Sequence, residues 1–282
     1  MAKVYVDFAE FPKDENGEIY VYRYEPVEYF KGNIENERLM FSSLRNWDDR
    51  LEIRYEKYGK NKTGKTPVGL CFTTDAKHNS AAAWGMHKGL QRKTYVQIKY
   101  SLKNLIKGLE FFAKDDVVFY VKKVQYKDAK DITKLQSDLA ENLSDEKFVD
   151  LLCQKRYDFE FEGEIRIIAL GKDLLKGRRK MYEVYMGKYL KDAVCGLKLE
   201  PFSVKDVRDK NVQKSRDKDT AVQDLLRFVK EKKLNYAKKY KSKKDEWHIV
   251  KRSRLYEYGP EYSGGKSKKS ENKSNTPQRG RK

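Results

Sequence analysis

The apolar positions of this chain recur with two periods, and the switches between them mark the elements. KVYVDF within residues 1–10 and EIYVYRY over 18–24 alternate apolar with polar, predicting two strands joined by the KDENG turn, with Pro26 ending the second. Glu28–Asn36 is predicted as a short helix and Arg38–Ser43 as a strand, followed by a polar loop through Asp49. Lys57–Pro67 (KYGKNKTGKTP) reads as a surface loop rather than a phosphate-binding one, although GKNKTGKT over 59–66 has the GxxxxGK[ST] spacing. Val68–Thr74 is apolar enough for a buried strand, and Asn79–Lys88 reads as a short capped helix ending at Gly89. Further strands are predicted at Tyr95–Tyr100, Val117–Tyr126, Glu164–Leu170, Lys180–Tyr189, Ala193–Phe202 and Trp247–Tyr256. Helices are predicted at Leu102–Phe112, across most of Leu135–Phe159, and at Asp219–Asn235, where Leu225, Leu226, Val229 and Leu234 share one side. Strands and helices mix without a regular βαβ alternation. The pattern therefore predicts an α+β fold: a mixed, largely antiparallel sheet with flanking helices over residues 1–260.

Composition adds a charged edge to this body. Of 282 residues, 39% are hydrophobic and 37% charged, and the 13% aromatic content, with 20 Tyr, is too high for a wholly disordered chain. The formal charge is +19, and 12 of it sits in two stretches, 238–254 and 264–282, each carrying +6. The Gly-, Ser- and Lys-rich tail over 261–282 lacks the apolar surface to offset its ordering entropy and is expected to be disordered. Basic arms of this kind bind polyphosphate by counterion release. Nucleic acid is the partner expected, through Lys241, Lys243, Lys244, Lys251, Arg252 and Arg254 beside Tyr240 and Trp247, and through Lys268, Lys269, Arg279 and Arg281. A solubilising extension is the plainer alternative.

Several classes drop out. No run of about 18 apolar residues predicts a membrane span, and the N-terminus MAKVYVDFAEF lacks the form of a signal peptide. Cys71, Cys153 and Cys195 are odd in number, far apart and without a CxxC, which excludes a zinc ribbon and argues against a disulfide framework. With three His, no metal centre is expected. The chain reads as cytoplasmic, with no membrane partner.

Three polar clusters adjoin apolar strands: Tyr22-Arg23-Tyr24, Cys71 to Thr74 with Trp84 beyond, and Glu160 to Arg166. If the third is strand throughout, Glu162, Glu164 and Arg166 share a face, and two carboxylates with a guanidinium are costly to bury unless paired or bound to a ligand. A ladder of ion pairs on a solvated face explains them equally well. Arg23 offers a planar fork for phosphate or is a surface residue of an edge strand. Trp84 stacks on a ring or packs the core, His87 is a helix-end cap, and Cys71 is a small buried residue.

Taken together, these spacings resemble the domain of unknown function 2971 family, a bacterial and phage-associated group. The resemblance rests on Tyr22-Arg23-Tyr24, Asp48-Asp49-Arg50-Leu51-Glu52, Cys71-Phe72-Thr73 with Ala83-Trp84, and a final motif of Lys155, Phe159, Glu162, Glu164 and Arg166 at one spacing. The order of motifs is similar to that of ADP-ribosyltransferase folds. That resemblance implies an ADP-ribosyltransferase-like sheet that uses NAD. Glu164 or Glu162 would be the catalytic acid, and Arg23, Tyr22, Thr73, Trp84 and Arg166 would line the cofactor pocket. It implies transfer of ADP-ribose to nucleic acid or an associated target in phage–host conflict, as toxin, defence effector in abortive infection, or counter-defence. On this view Glu164→Gln removes activity and leaves folding intact. A non-catalytic nucleic-acid-binding protein with a degenerate pocket, or a nuclease or base glycosidase on the same pocket, are the competing readings.

Overall fold

The computed structural model describes residues 2–44, 47, 50–74, 95–112, 116–128, 130–132, 143–175, 181–199, 224–225 and 227–234. Eleven strands and five α-helices are described: β1 (Lys3–Val6), β2 (Tyr20–Pro26), α1 (Val27–Glu35), β3 (Arg38–Ser43), α2 (Arg50–Thr63), β4 (Thr66–Thr73), β5 (Tyr95–Ser101), α3 (Leu102–Phe112), β6 (Val118–Lys123), β7 (Gln125–Lys127), α4 (Asp145–Leu152), β8 (Gln154–Arg156), β9 (Glu164–Gly171), β10 (Met181–Tyr185), α5 (Lys188–Ala193) and β11 (Val194–Leu199). Nine strands form one mixed, mostly antiparallel sheet in the order β1-β6-β9-β4-β2-β5-β11, with β3 and β10 joining from the side of β4. Only β1 with β6 is parallel in that sheet; β7 and β8 make a separate parallel pair. The chain is thus α+β, as its pattern predicts.

β4 is the branching strand. β9 pairs along its whole length, from Thr66–Gly171 to Thr73–Glu164. Its first half also pairs with β3 through Val68–Ser43 and Gly69–Ser42, and its last residue with β2 through Thr73–Tyr22. The sheet therefore forks at β4 into a β3–β10 arm and a β2–β5–β11 arm.

Strand alternation sorts side chains onto two faces. One face carries Val21, Leu70, Phe72, Val96, Ile98, Phe119, Val121, Ile165, Ile167 and Ala169, and forms the main core with α1 and α3. The other face is divided. Its far half, Tyr120, Ile168 and Leu170, lies under Phe148, Leu151 and Leu152 of α4. Its near half is polar, as described below.

Some elements differ from the sequence expectation. Lys57–Pro67 is mostly helix: α2 runs to Thr63, whose hydroxyl donates to the Gly59 carbonyl (2.8 Å), and Gly64 at φ +67° ends it. Two glycines and a lysine-rich surface gave this helix the look of a loop. Val117–Tyr126 is broken at Val124, whose N–H donates to the Glu164 carbonyl (2.9 Å), so β7 turns away to pair with β8. Within Leu135–Phe159 the α-helix of the described residues is α4 alone, capped by the Ser144 hydroxyl; β8 and a 3₁₀ turn over Tyr157–Glu162 follow. Lys180–Tyr189 divides into β10 and the start of α5. The helices predicted at 79–88, the strand at 247–256 and the tail over 261–282 lie outside the described residues.

Candidate functional site

β9 enters the sheet from a tight turn. Gly163 takes the left-handed conformation at φ +50° that ends the 3₁₀ turn, and the chain extends from Glu164. Two rows then cross the near half of the polar face. One runs Lys99, Tyr22, Thr73, Glu164, each paired in register with the next; the other includes Gln97 opposite Tyr24 and Cys71 opposite Arg166. These side chains are largely shielded from solvent, although few of them are apolar.

The ionic centre is Glu164 with Arg166. Arg166 is 1% exposed and Glu164 5%. Arg166 donates from Nε and Nη2 to the two Glu164 oxygens, both at 2.9 Å, and from Nη1 to the Leu152 carbonyl. The Trp47 ring covers the guanidinium at 4.3 Å. Trp47 fits there because Gly69 presents no side chain beneath it; a Cβ on Gly69 would lie 2.3 Å from the indole. Lys155 Nζ adds a contact of 3.4 Å to Glu164, and the Cys71 thiol donates to the same carboxylate. Four donors thus meet the roughly four lone-pair sites of one carboxylate. Burial pushes the Glu164 carboxyl up, but the Arg166 charge and hydrogen bonds overcome this and hold it at about 2. Glu164 is ionised at every physiological pH and has no acceptor capacity left for a substrate.

Glu162 differs in each respect. It lies in the 3₁₀ turn rather than on the strand, so a shared strand face does not unite it with Glu164. The two are joined through Lys155, whose Nζ stands 2.6 Å from Glu162. One ammonium serves two carboxylates, and Arg166 secures the other. Burial, helped by the Glu164 charge, accordingly raises the Glu162 carboxyl against the pull of Lys155. Its side chain is 19% exposed and so reaches solvent. Burial works against the Lys155 charge, yet the two carboxylates hold its pKa above the ordinary lysine value. Tyr126 closes the far side: its hydroxyl accepts the Glu164 N–H at 2.9 Å, and burial pushes the phenol up to about 12.

Tyr22, Thr73, Glu162, Glu164 and Arg166 are therefore brought together. Arg23 is not. It alternates to the core face, donates to the Cys71 carbonyl (2.9 Å) and to Glu25 (3.3 Å), and stands over Phe72. Neighbouring positions of one strand cannot both face one pocket, so Tyr22 and Arg23 are separated by the sheet. The ladder of ion pairs on a solvated face is also replaced, because β9 is buried along its whole length. Trp84 and the cations Lys241, Lys243, Lys244, Lys251, Arg252, Arg254, Lys268, Lys269, Arg279 and Arg281 lie outside the described residues.

Sequence reasoning passed over Gln97, Lys99 and Trp47 as site residues, and gave Lys155 only a place in a motif. Gln97 and Lys99 were signalled by polar residues at every second position of the otherwise apolar YVQIKYS. Lys99 Nζ lies 3.8 Å from the Tyr20 ring centroid, and Gln97 is fully buried, its amide nitrogen donating to the Tyr24 hydroxyl. The Gln97 amide oxygen is buried with no hydrogen-bond partner. Among the described residues no group of three metal-ligating side chains converges, and no helix is long and apolar enough to cross a membrane.

Neither protein-family models, curated proteins nor solved structures provide a match to this chain.

Proposed function

We propose that this chain is an enzyme acting at the glycosidic carbon of a nucleotide, an ADP-ribosyltransferase-like protein that consumes NAD. The acceptor would be nucleic acid or a nucleic-acid-associated target, and the setting phage–host conflict. The observation that carries this reading is the divergence of two neighbouring carboxyls on one lysine, Glu164 lowered to about 2 and Glu162 raised. Paired carboxyls driven apart in this way divide the labour of charge stabilisation and proton transfer.

NAD supplies a labile bond between ribose and nicotinamide whose cleavage leaves positive charge on the sugar. The residues toward it are those of the polar face. Tyr22 and Thr73 stand in the row that ends at Glu164, and the unpartnered Gln97 oxygen suits an amide or amino donor of such a ligand. Glu164 contributes a fixed negative charge that needs no reorganisation. Glu162, reachable and only weakly held in its ionised form, takes the proton of the acceptor. Arg166 positions Glu164 and does not bind the ligand itself, and Arg23 has no part on this face.

The test uses the full chain with radiolabelled NAD and, in parallel, DNA, RNA and cell extract, against Glu162→Gln. Label transferred by the wild type and lost in the variant, at an unchanged urea midpoint, supports the reading and names the acceptor. No transfer and no nicotinamide release in any mixture refutes it.

A further inference from the structure

An aromatic patch is exposed where α3, β10 and α5 meet. Four rings touch in a chain: Phe111 with Phe112 (4.8 Å between centroids), Phe111 with Tyr189 (6.0 Å), Phe112 with Tyr189 (6.1 Å) and Phe112 with Tyr185 (5.1 Å). Burial does not explain it, since Phe111 is 60% exposed and Tyr185 52%. Exposed large apolar surface of this kind marks an interaction site. Ring orientation is held from beneath: the Tyr185 hydroxyl donates to Glu37 (2.9 Å), and Gly187 leaves room for Phe112, since a Cβ there would lie 2.7 Å from its ring.

The charges around the rings indicate the occupant. Lys103, Lys107 and Phe111 follow at four-residue intervals on α3, one stripe of about 12 Å. Lys188 adjoins Tyr189, its Nζ 5.8 Å from that ring. Among the described residues these three lysines form no ion pair, whereas Lys191 and Arg38 are matched by Glu37 and Glu183. The remaining acid of the stripe is Glu110. Exposed rings next to unmatched cations, on a chain of charge +19, fit a polyanion with exposed flat bases. A duplex keeps its base faces stacked and offers the rings nothing.

We infer that the Phe111–Tyr185–Tyr189 patch with Lys103, Lys107 and Lys188 is a docking surface for single-stranded nucleic acid. This names an acceptor surface for the function proposed above, yet it is tested without NAD, so the two fail separately.

The test is fluorescence anisotropy of the full chain with a labelled oligo-dT of about 15 nucleotides, at about 0.1 M and 0.5 M salt. Phe111→Leu with Tyr185→Leu keeps apolar bulk and removes the stacking faces. It is expected to weaken binding about tenfold or more at both salt concentrations without changing the salt slope. Lys103→Ala with Lys107→Ala and Lys188→Ala is expected to lower the slope by about 2. Circular dichroism confirms that each variant is folded. Unchanged affinity of both variants at the higher salt overturns the inference. A change in oligomeric state with unchanged affinity also overturns it, and makes the patch a contact between copies of the chain.

Discussion

Glu164→Gln is the most informative single perturbation, because the structure reverses what the motif alone implies. The side chain keeps its shape but loses its charge and turns one acceptor oxygen into a donor. Arg166, 1% exposed, then faces an amide, and Lys155 loses half of its counter-charge. Lowering the carboxyl from 4.5 to about 2 corresponds to roughly 3 kcal/mol of folding free energy. Breaking a buried pair by removing one partner costs about 3–5 kcal/mol, so the two estimates agree. With a urea slope near 2 kcal/mol/M, the midpoint falls by about 1.5 M. The pH dependence has a fixed sign. The folded-state pKa lies below the unfolded one, so the contribution is complete above about pH 4.5 and is lost as pH falls toward 2. The gap between wild type and variant should shrink from roughly 3 kcal/mol at pH 7 to about 1 at pH 3. Urea titrations followed by circular dichroism at both pH values measure it, and Arg166→Met with the double variant isolates the pair term. A Glu164→Gln chain that is inactive yet within about 1 kcal/mol of wild type, with no pH dependence of the gap, refutes the structural assignment and leaves Glu164 its electrostatic part alone.

Two further outcomes follow from the same surroundings. Gly69→Ala places a methyl where the Trp47 indole lies, 2.3 Å away, and should displace that ring from Arg166. A cost of about 1–3 kcal/mol and a red-shifted tryptophan emission are expected, and an unchanged spectrum removes Trp47 from the centre. Burial pushes the Cys153 thiol up to about 12, so in the native chain it should resist a thiol reagent at pH 8, with full reaction only in denaturant.

Much of the sheet was legible in the sequence because its strands alternate so regularly. YVQIKYS and EIRIIALG assign each residue to a face, and Arg38–Ser43 and Leu102–Phe112 have the bounds that their patterns predict. What alternation cannot show is which faces of which strands come together. Tyr22-Arg23-Tyr24 reads as one cluster in sequence, but its middle member belongs to the core side. The joining of Glu162 to Glu164 is also invisible locally, because it depends on Lys155 arriving from β8. The fate of Glu164 depends on Trp47, Leu152 and Cys71, contributed by three other segments. A polar helix was the other failure: the C-terminal end of α2 holds Gly59, Asn61 and Thr63 and is followed by Gly64, so that end of it reads as a loop.

The position of β9 in the sheet also carries a consequence for how the chain is made. β9 is the strand on which β4 and β6 both register, and among the described residues β1 pairs in the sheet with β6 alone, Lys3 opposite Val118. At ribosomal rates of about 5–20 residues per second, the 160 or so residues from Lys3 to Glu164 take roughly 8–30 s to emerge. Through that interval β1 waits first for β6, and β4 and β6, once made, wait for β9. The core of the sheet therefore closes only after the ionic knot at the start of β9 has been made.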